Sequence, residues 1–330
     1  MFEYISLYRK NGAGQHGKVI GFTILQFILC VVLPMAVIFG AMLLPLLLTM
    51  TDVSGEAVGI TMAIWMLVIM IVFILLMLFV IYPIFVGVLR YFASAYKGKD
   101  FTFGEAYKVF KNGNYSKLIK IALLVLLLNF VLSMIIGFIV NILMTIVFIP
   151  LMPLGLMMED PNAAMTGGAI ALIVLAAVLM FIVMIVAYIP YIILYIYFAV
   201  VFMVYIDEPK IPTVDKLKVA WNVTFNSDAS MVKLFFSNLL MYILMTAVMF
   251  IAMIGIVLAS VFLMDSPVMI AVVAILGTLI ATIVSIYISY LIIGSIVAYY
   301  FVGRESLDRK ADMRYEETAP VYNNEDIDLQ

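Results

Sequence analysis

The chain has 330 residues, of which 67% are hydrophobic and only 12% charged, with a mean hydropathy of +1.23. Soluble domains are roughly half apolar, so water is excluded as the main solvent and the chain reads as an integral membrane protein. The net charge of −2 hides a segregated distribution, and a single cysteine and a single histidine exclude an internal disulfide and an H-E-x-x-H metal pair.

The N-terminal stretch holds Arg9, Lys10 and Lys18 ahead of a first apolar run at about 19–50. That run is much longer than the apolar region of a cleavable signal, so it is expected to stay in the protein. Cys30 lies inside it. Gly12-x4-Gly17-Lys18 imitates a phosphate-binding loop, but Val19 stands where a magnesium-holding Ser or Thr is needed and no apolar strand precedes it, so nucleotide binding is set aside.

Further apolar runs follow at about 60–89, 121–158, 168–205, 234–264 and 268–303. Each exceeds the roughly 20 residues that cross a hydrocarbon core. Continuous runs of this length rule out alternating barrel strands, and only helices or closed barrels satisfy their backbone in lipid, so the expected fold is an all-α bundle of six transmembrane helices. All 18 Lys and Arg residues fall in four stretches: Arg9 to Lys18, Arg90 to Lys120, Lys210 to Lys233, and Arg304 to Arg314. The alternate turns carry only acids, namely Asp52 and Glu56, Glu159 and Asp160, and Asp265. Because basic loops stay in the cytoplasm during insertion, both termini are expected there.

An internal repeat runs through this plan. Phe2 to Ile20 aligns with Phe103 to Ile119, pairing Lys10-Asn11-Gly12 with Lys111-Asn112-Gly113. A fainter third copy places Lys218-Val219 and Asn222 opposite Lys108-Val109 and Asn112. The reading is three parallel units, 1–101, 102–210 and 211–303, each a short helix followed by two spans. Such an arrangement encloses a central cavity or makes a solid bundle; the sequence leaves both open. Residues 304–330, with four basic and eight acidic residues, are expected to be a disordered cytoplasmic tail.

Two short helices are expected on the membrane surface. Thr102-x-x-Glu105 is a capping box, and Phe103, Tyr107 and Phe110 then recur on one face with Lys108 and Lys111 beside them. After Pro212, Leu217 and Trp221 repeat the design with Lys216 and Lys218. Apolar faces flanked by lysine suit contact with interfacial lipid. Aromatic residues crowd the same ends of the even-numbered spans, including Tyr82, Tyr91, Tyr197, Tyr287, Tyr290, Tyr299 and Tyr300, which an interfacial belt explains. Tyr188, Tyr191 and Tyr195 share one helical face and offer a cavity lining as well.

No ionisable residue lies in the central part of any span, which removes the usual marker of proton relays, charged-substrate paths and intramembrane proteases. The polar residues there form rows at a spacing of four: Asn129, Ser133, Gly137, Asn141 and Thr145 in the third span, Gly277, Ala281, Ser285 and Ser289 in the sixth. Such rows serve close helix packing or line a polar conduit. Pro34, Pro45, Pro83, Pro150, Pro153 and Pro190 interrupt the spans, with Pro150 and Pro153 expected to end the third. The sequons at Asn114 and Asn222 face the cytoplasm under the charge rule and are not expected to carry glycans.

The stretch Tyr188-Ile-Pro-Tyr-Ile-Ile-Leu-Tyr, through Ile206-Asp207-Glu208 and Lys218-Val-Ala-Trp221 to Lys233-Leu-Phe-Phe236, resembles bacterial six-span membrane proteins that include the membrane domain attached to some glycerophosphodiester phosphodiesterases. The resemblance covers about residues 80–300; it implies the architecture and a bacterial inner-membrane location, and brings no catalytic residue with it. The function expected is a non-catalytic membrane scaffold or accessory subunit that organises lipid, a membrane-protein partner or a second copy at the cytoplasmic face. The alternative is a permease or channel for an uncharged or amphiphilic solute, lined by Asn129, Ser133, Asn141, Tyr188, Tyr191 and Tyr195. No catalytic residue, cofactor, metal, nucleotide or nucleic acid is expected.

Overall fold

Continuous apolar sequence without strand alternation leaves the helix as the only way to satisfy the backbone in lipid, and helices are what the chain forms. A computed structural model describes residues 2–48, 55–110, 114–149, 167–262 and 266–318. In chain order the α-helices there are α1 (Glu3–Asn11), α2 (His16–Leu48), α3 (Gly55–Leu76), α4 (Tyr82–Tyr96), α5 (Phe103–Ala106), α6 (Asn114–Phe148), α7 (Gly167–Asp207), α8 (Thr213–Trp221), α9 (Met231–Phe262) and α10 (Pro267–Thr318). A one-turn π-helix, Met77–Ile81, joins α3 to α4, and a second, Asn222–Asn226, follows α8. Six helices are long and apolar enough to cross a membrane, so the protein is a multi-pass membrane protein. A short helix, α1, α5 or α8, precedes each successive pair of long ones.

The π-turn has a local cause. Pro83 has no N–H to give to the carbonyl four residues back and its ring crowds that carbonyl. That group belongs to Phe79, and the Tyr115 hydroxyl donates to it instead at 2.8 Å. The helix runs through Pro34, Pro45 and Pro190 without a break. Pro150, Pro153, Lys111, Asp52, Glu159, Asp160 and Asp265 lie outside the described residues.

The residues cluster into two compact parts. The first comprises the described residues within 1–40, 84–109 and 200–318. Its core is aromatic. In α1, Tyr4, Ile5 and Tyr8 are buried; their spacing puts them on one face, which packs against α10. The Tyr8 ring stacks on Phe92 at 5.6 Å and meets Tyr290 edge-on at 5.8 Å, while Tyr4 meets Tyr299 edge-on at 5.3 Å. Gly294 makes this approach possible, since a Cβ there would lie 2.4 Å from Tyr8 Cδ1. Tyr91, Tyr290, Tyr299 and Tyr300 are therefore core residues, not members of an interfacial belt; burial is tolerable because the hydroxyls of the last three find partners. α9 packs along α10, and the small row of the sixth span serves that contact: Ala281 and Ser285 are buried and Gly277 faces the Ala252 carbonyl.

The second part comprises the described residues within 41–83 and 110–199. Trp65 Nε1 donates to the Ala41 carbonyl at 2.8 Å, and Phe110 stacks on Tyr115 at 5.5 Å. Gly137 has open space where a Cβ would sit, so the third-span row brings no helix close at that point.

Two boundaries move relative to the sequence reading. The second span does not stop at 89: α4 continues through Arg90 to Tyr96, with Lys97 the next residue. Residues 304–318 are helical rather than disordered, continuing α10, because Arg304 pairs with Glu208 at 2.5 Å, Lys310 pairs with Asp228 at 2.6 Å and Ser306 is buried. Residues 319–330 lie outside the described part.

Candidate functional site

Most of the chemistry-bearing side chains in the first part sit where its long helices meet the short ones. The turn after α4 sets the geometry. Gly98 adopts φ +67°, a conformation that costs glycine nothing. Its N–H bonds the Ala95 carbonyl while that of Lys99 bonds Ser94, both at 3.0 Å, a Schellman closure of the helix. The chain then turns to bring Lys99, Asp100 and Phe101 back toward α4. Thr102 starts α5 with the expected capping box: its N–H donates to Glu105 Oε2 at 3.1 Å, and Lys108 donates to Glu105 Oε1 at 3.1 Å. The Thr102 N–H first, and the lysine second, hold the Glu105 carboxyl below the usual carboxylate range. The helix expected through Phe110 tightens at Tyr107 into a 3-10 turn, Tyr107–Phe110, a common helix ending.

Asp207, at the end of α7, is the hub of this region. Lys97 Nζ donates to its Oδ1 at 3.0 Å and the Tyr300 hydroxyl to its Oδ2 at 3.2 Å, tying α4, α7 and α10 together. Lys97 also lies 4.5 Å above the Phe301 ring. Other ion pairs join segments distant in sequence: Lys18 to Asp100 and Lys233 to Glu3, each at 2.9 Å. Each is well exposed and screened by solvent, so it adds little to stability; their collective effect is to fix which helix ends meet.

Neutral polar pairs reinforce the ties. His16 Nε2 lies 3.0 Å from the Arg9 carbonyl, and Nδ1 lies 2.6 Å from the Tyr290 hydroxyl. A carbonyl only accepts, so the neutral ring carries its proton on Nε2 and Tyr290 donates to Nδ1. The Tyr299 hydroxyl donates to the Thr224 carbonyl at 2.7 Å and Ser295 to Asn238 Oδ1 at 2.9 Å, and the Gln26 amide donates to the Tyr107 hydroxyl. Tyr4 accepts from the Ser230 N–H at 2.7 Å; burial, the larger influence, pushes its hydroxyl pKa up.

A pocket of about 360 Å³ opens beside Asp207. Arg90 and Ser94 of α4 and Lys97 directly after it line it from one side, at i, i+4 and i+7. Lys99, Asp100 and Glu105 contribute from the turn and α5, and Met203, Ile206 and Phe301 supply an apolar wall. The Arg90 guanidinium lies 5.7 Å from the Phe101 ring centroid. Among the described residues no three His, Cys, Asp or Glu side chains come together as a metal site.

No protein family, curated protein or solved structure matches the chain.

The residues singled out from sequence fall elsewhere. Asn129 and Ser133 are half-buried and Asn141 exposed on α6, and the Asn141 amide donates to the Gly137 carbonyl of its own helix at 3.0 Å. Tyr191 is exposed and Tyr195 half-buried on α7; the side chain of Tyr188 is outside the described set. Of the residues read as lipid contacts, Phe103, Lys108, Phe110, Lys218 and Trp221 are exposed, and Tyr107 and Leu217 are half-buried. Lys218 pairs with Asp215 at 3.3 Å. Lys216 departs from the expectation. It is 1% exposed, and its ammonium donates to the Ile211 and Pro209 carbonyls and lies 5.9 Å from the Tyr205 ring. The Ile211 and Pro209 carbonyls satisfy this cation, so it is not an exposed surface lysine. Arg90, Ser94, Lys97 and Asp207 were not singled out; the available signal was an arginine close enough to the run ending at 89 to belong to the same helix.

Proposed function

We propose that this protein is a non-catalytic integral membrane scaffold or accessory subunit of the bacterial inner membrane, with both termini cytoplasmic, that organises lipid or a protein partner at its cytoplasmic face. The architecture in this reading is three parallel units, each an interfacial helix followed by two spans; a short helix ahead of each pair of long helices supports it. The observation that carries the functional reading is how the ionisable groups are used. Asp207, Asp100, Glu3, Glu208, Asp228 and Glu105 each hold a cation in an ion pair, most of them between distant segments. Charge spent on fixing helix ends makes a rigid platform. Beside it Trp221, 53% exposed, lies 4.3 Å from the exposed Phe225 ring, an aromatic pair with a polar N–H suited to the headgroup level.

The test is purification of the intact protein from its membrane in mild detergent, with quantification of retained lipid and protein. Wild type is expected to retain a defined lipid or partner, and a Trp221→Ser, Phe225→Ser double variant to lose most of it while eluting as a folded species. Retention by wild type of nothing beyond bulk lipid overturns the reading. So does solute flux in proteoliposomes that is abolished by an Asn129→Leu, Asn141→Leu double variant, the outcome the permease alternative requires.

A further inference from the structure

We propose that the pocket beside Asp207 binds the phosphodiester headgroup of an anionic phospholipid, with Arg90 as the principal ligand and Ser94 as a second donor. The inference deepens the platform reading above and rests on it.

Charge balance makes the first step. The pocket wall holds three cations, Arg90, Lys97 and Lys99, and three carboxylates, Asp100, Glu105 and Asp207. Asp100 is held by Lys18, Glu105 by Lys108 and Asp207 by Lys97. Every carboxylate therefore has its own lysine, two of them reaching in from outside the wall. Among the described residues neither Arg90 nor Lys99 has a carboxylate within ion-pair distance, and the local surplus is positive.

Geometry makes the second step. The Arg90 guanidinium carbon lies over the Phe101 ring at 5.7 Å from its centroid, and among the described residues its N–H donors form no ion pair. A planar fork of N–H donors that no carboxylate holds matches two oxygens of a phosphate. Ser94 lies one helical turn further along the same face of α4, and both side chains line the pocket. An arginine within the closing turns of an apolar span is costly unless it is partnered; here the protein supplies the Phe101 ring and the nearby charge of Glu105, a carboxylate already bonded to Lys108 and the Thr102 N–H, but no direct ion pair.

The apolar wall decides between sources. Met203, Ile206 and Phe301 face the same space. A free phosphate leaves them wet, whereas the glycerol carbons of a phospholipid cover them. At about 360 Å³ the pocket is at the small end of the roughly 300–1,000 Å³ typical of ligand sites, enough for a headgroup whose acyl chains remain outside.

The experiment is native mass spectrometry of the full chain in detergent, titrated separately with phosphatidylglycerol and with phosphatidylcholine of the same acyl chains. Wild type is expected to prefer phosphatidylglycerol by about tenfold, since a charge-assisted pair is at stake. Arg90→Gln should abolish the preference, Arg90→Lys should keep only part of it, and Ser94→Ala should weaken binding about fivefold. Lys10→Gln, an equal loss of charge on α1, should leave it unchanged. Ser94→Ala guards against loss of fold in the arginine variants, whose melting temperatures are compared with wild type. Displacement of the lipid by millimolar inorganic phosphate would retain the anion chemistry and overturn the lipid source. A wild-type preference in both Arg90→Gln and Ser94→Ala would overturn the site while leaving the platform standing on its own Trp221 and Phe225 test. No preference in wild type would overturn the site as well.

Discussion

Gly294→Ala is the substitution that interrogates the aromatic core most directly. The new Cβ would lie 2.4 Å from Tyr8 Cδ1 and 2.8 Å from both Cγ and Cε1, more than an ångström or about 0.7 Å inside the roughly 3.5 Å at which carbon atoms begin to attract. The ring has no room to swing, since Phe92 and Tyr96 stack on it at 5.6 and 6.2 Å and Tyr290 closes it edge-on at 5.8 Å. Helix preference works the other way, favouring alanine by up to about 1 kcal/mol. Overpacking costs about 1–3 kcal/mol and occasionally more, and contact against three ring atoms places this site at the upper end. A net loss of about 2 kcal/mol is expected, expressed as detachment of α1 from α10. The assay is thermal unfolding in detergent together with hydrogen exchange over residues 3–11. Gly21→Ala on α2, with open space around its Cβ, should be neutral or slightly stabilising. In a Tyr8→Ala background the penalty of Gly294→Ala should vanish, because the methyl then enters vacated space. An unchanged melting temperature for Gly294→Ala, or a penalty that persists without Tyr8, would refute the packing argument.

Three further outcomes follow from the same contacts. Tyr299→Phe removes the donor to the Thr224 carbonyl and should cost about 1–1.5 kcal/mol, read as faster exchange across Asn222–Asn226 with the rest of the chain unaffected. Lys216→Met keeps much of the side-chain volume but leaves the Ile211 and Pro209 carbonyls without their cation; a loss of about 1–3 kcal/mol is expected, with proteolysis appearing between α7 and α8. Glu105 has a folded pKa below its unfolded value of about 4.3, so its capping contribution is fully present above that value and is lost as pH falls through the folded pKa. Protection of the Thr102 amide should therefore hold at pH 6 and be lost only as the pH falls below the unfolded value, and Glu105→Gln should flatten that dependence.

The six apolar helices were legible from hydropathy alone, and so was the start of α5, because Thr102 and Glu105 encode their own contact three residues apart. What stayed hidden depends on partners far along the chain. Tyr290 and Tyr299 read as belt residues because nothing local distinguishes a tyrosine at a headgroup from one whose hydroxyl meets His16 or Thr224. Lys216 sits in a run of alternating lysines with Lys218, yet one is buried and the other exposed; only the fold of 209–211 decides which. Arg90 was counted as loop because an arginine ends an apolar run by composition, although a helix can carry it for two more turns.

The placement of these contacts follows from the solvent. Within hydrocarbon no hydrophobic force draws helices together, because lipid chains are as apolar as leucine, and association there depends on close packing and hydrogen bonds. α9 shows the consequence: Met249, Phe250 and Ile251 are exposed in succession, so most of that turn is left uncovered and only the side at Ala252 meets Gly277 of α10. Near its start, where polar partners exist, Leu234, Ser237 and Asn238 are buried and Ser295 bonds Asn238. Specific association in the first part is thus concentrated where tyrosine hydroxyls, amides and ion pairs can meet. A platform at that end is the arrangement such physics favours, since the residues that fix the fold are also the ones that shape the surface beside Arg90 and Asp207. Substitutions of equal size should accordingly disturb this region far more than the exposed stretch of α9.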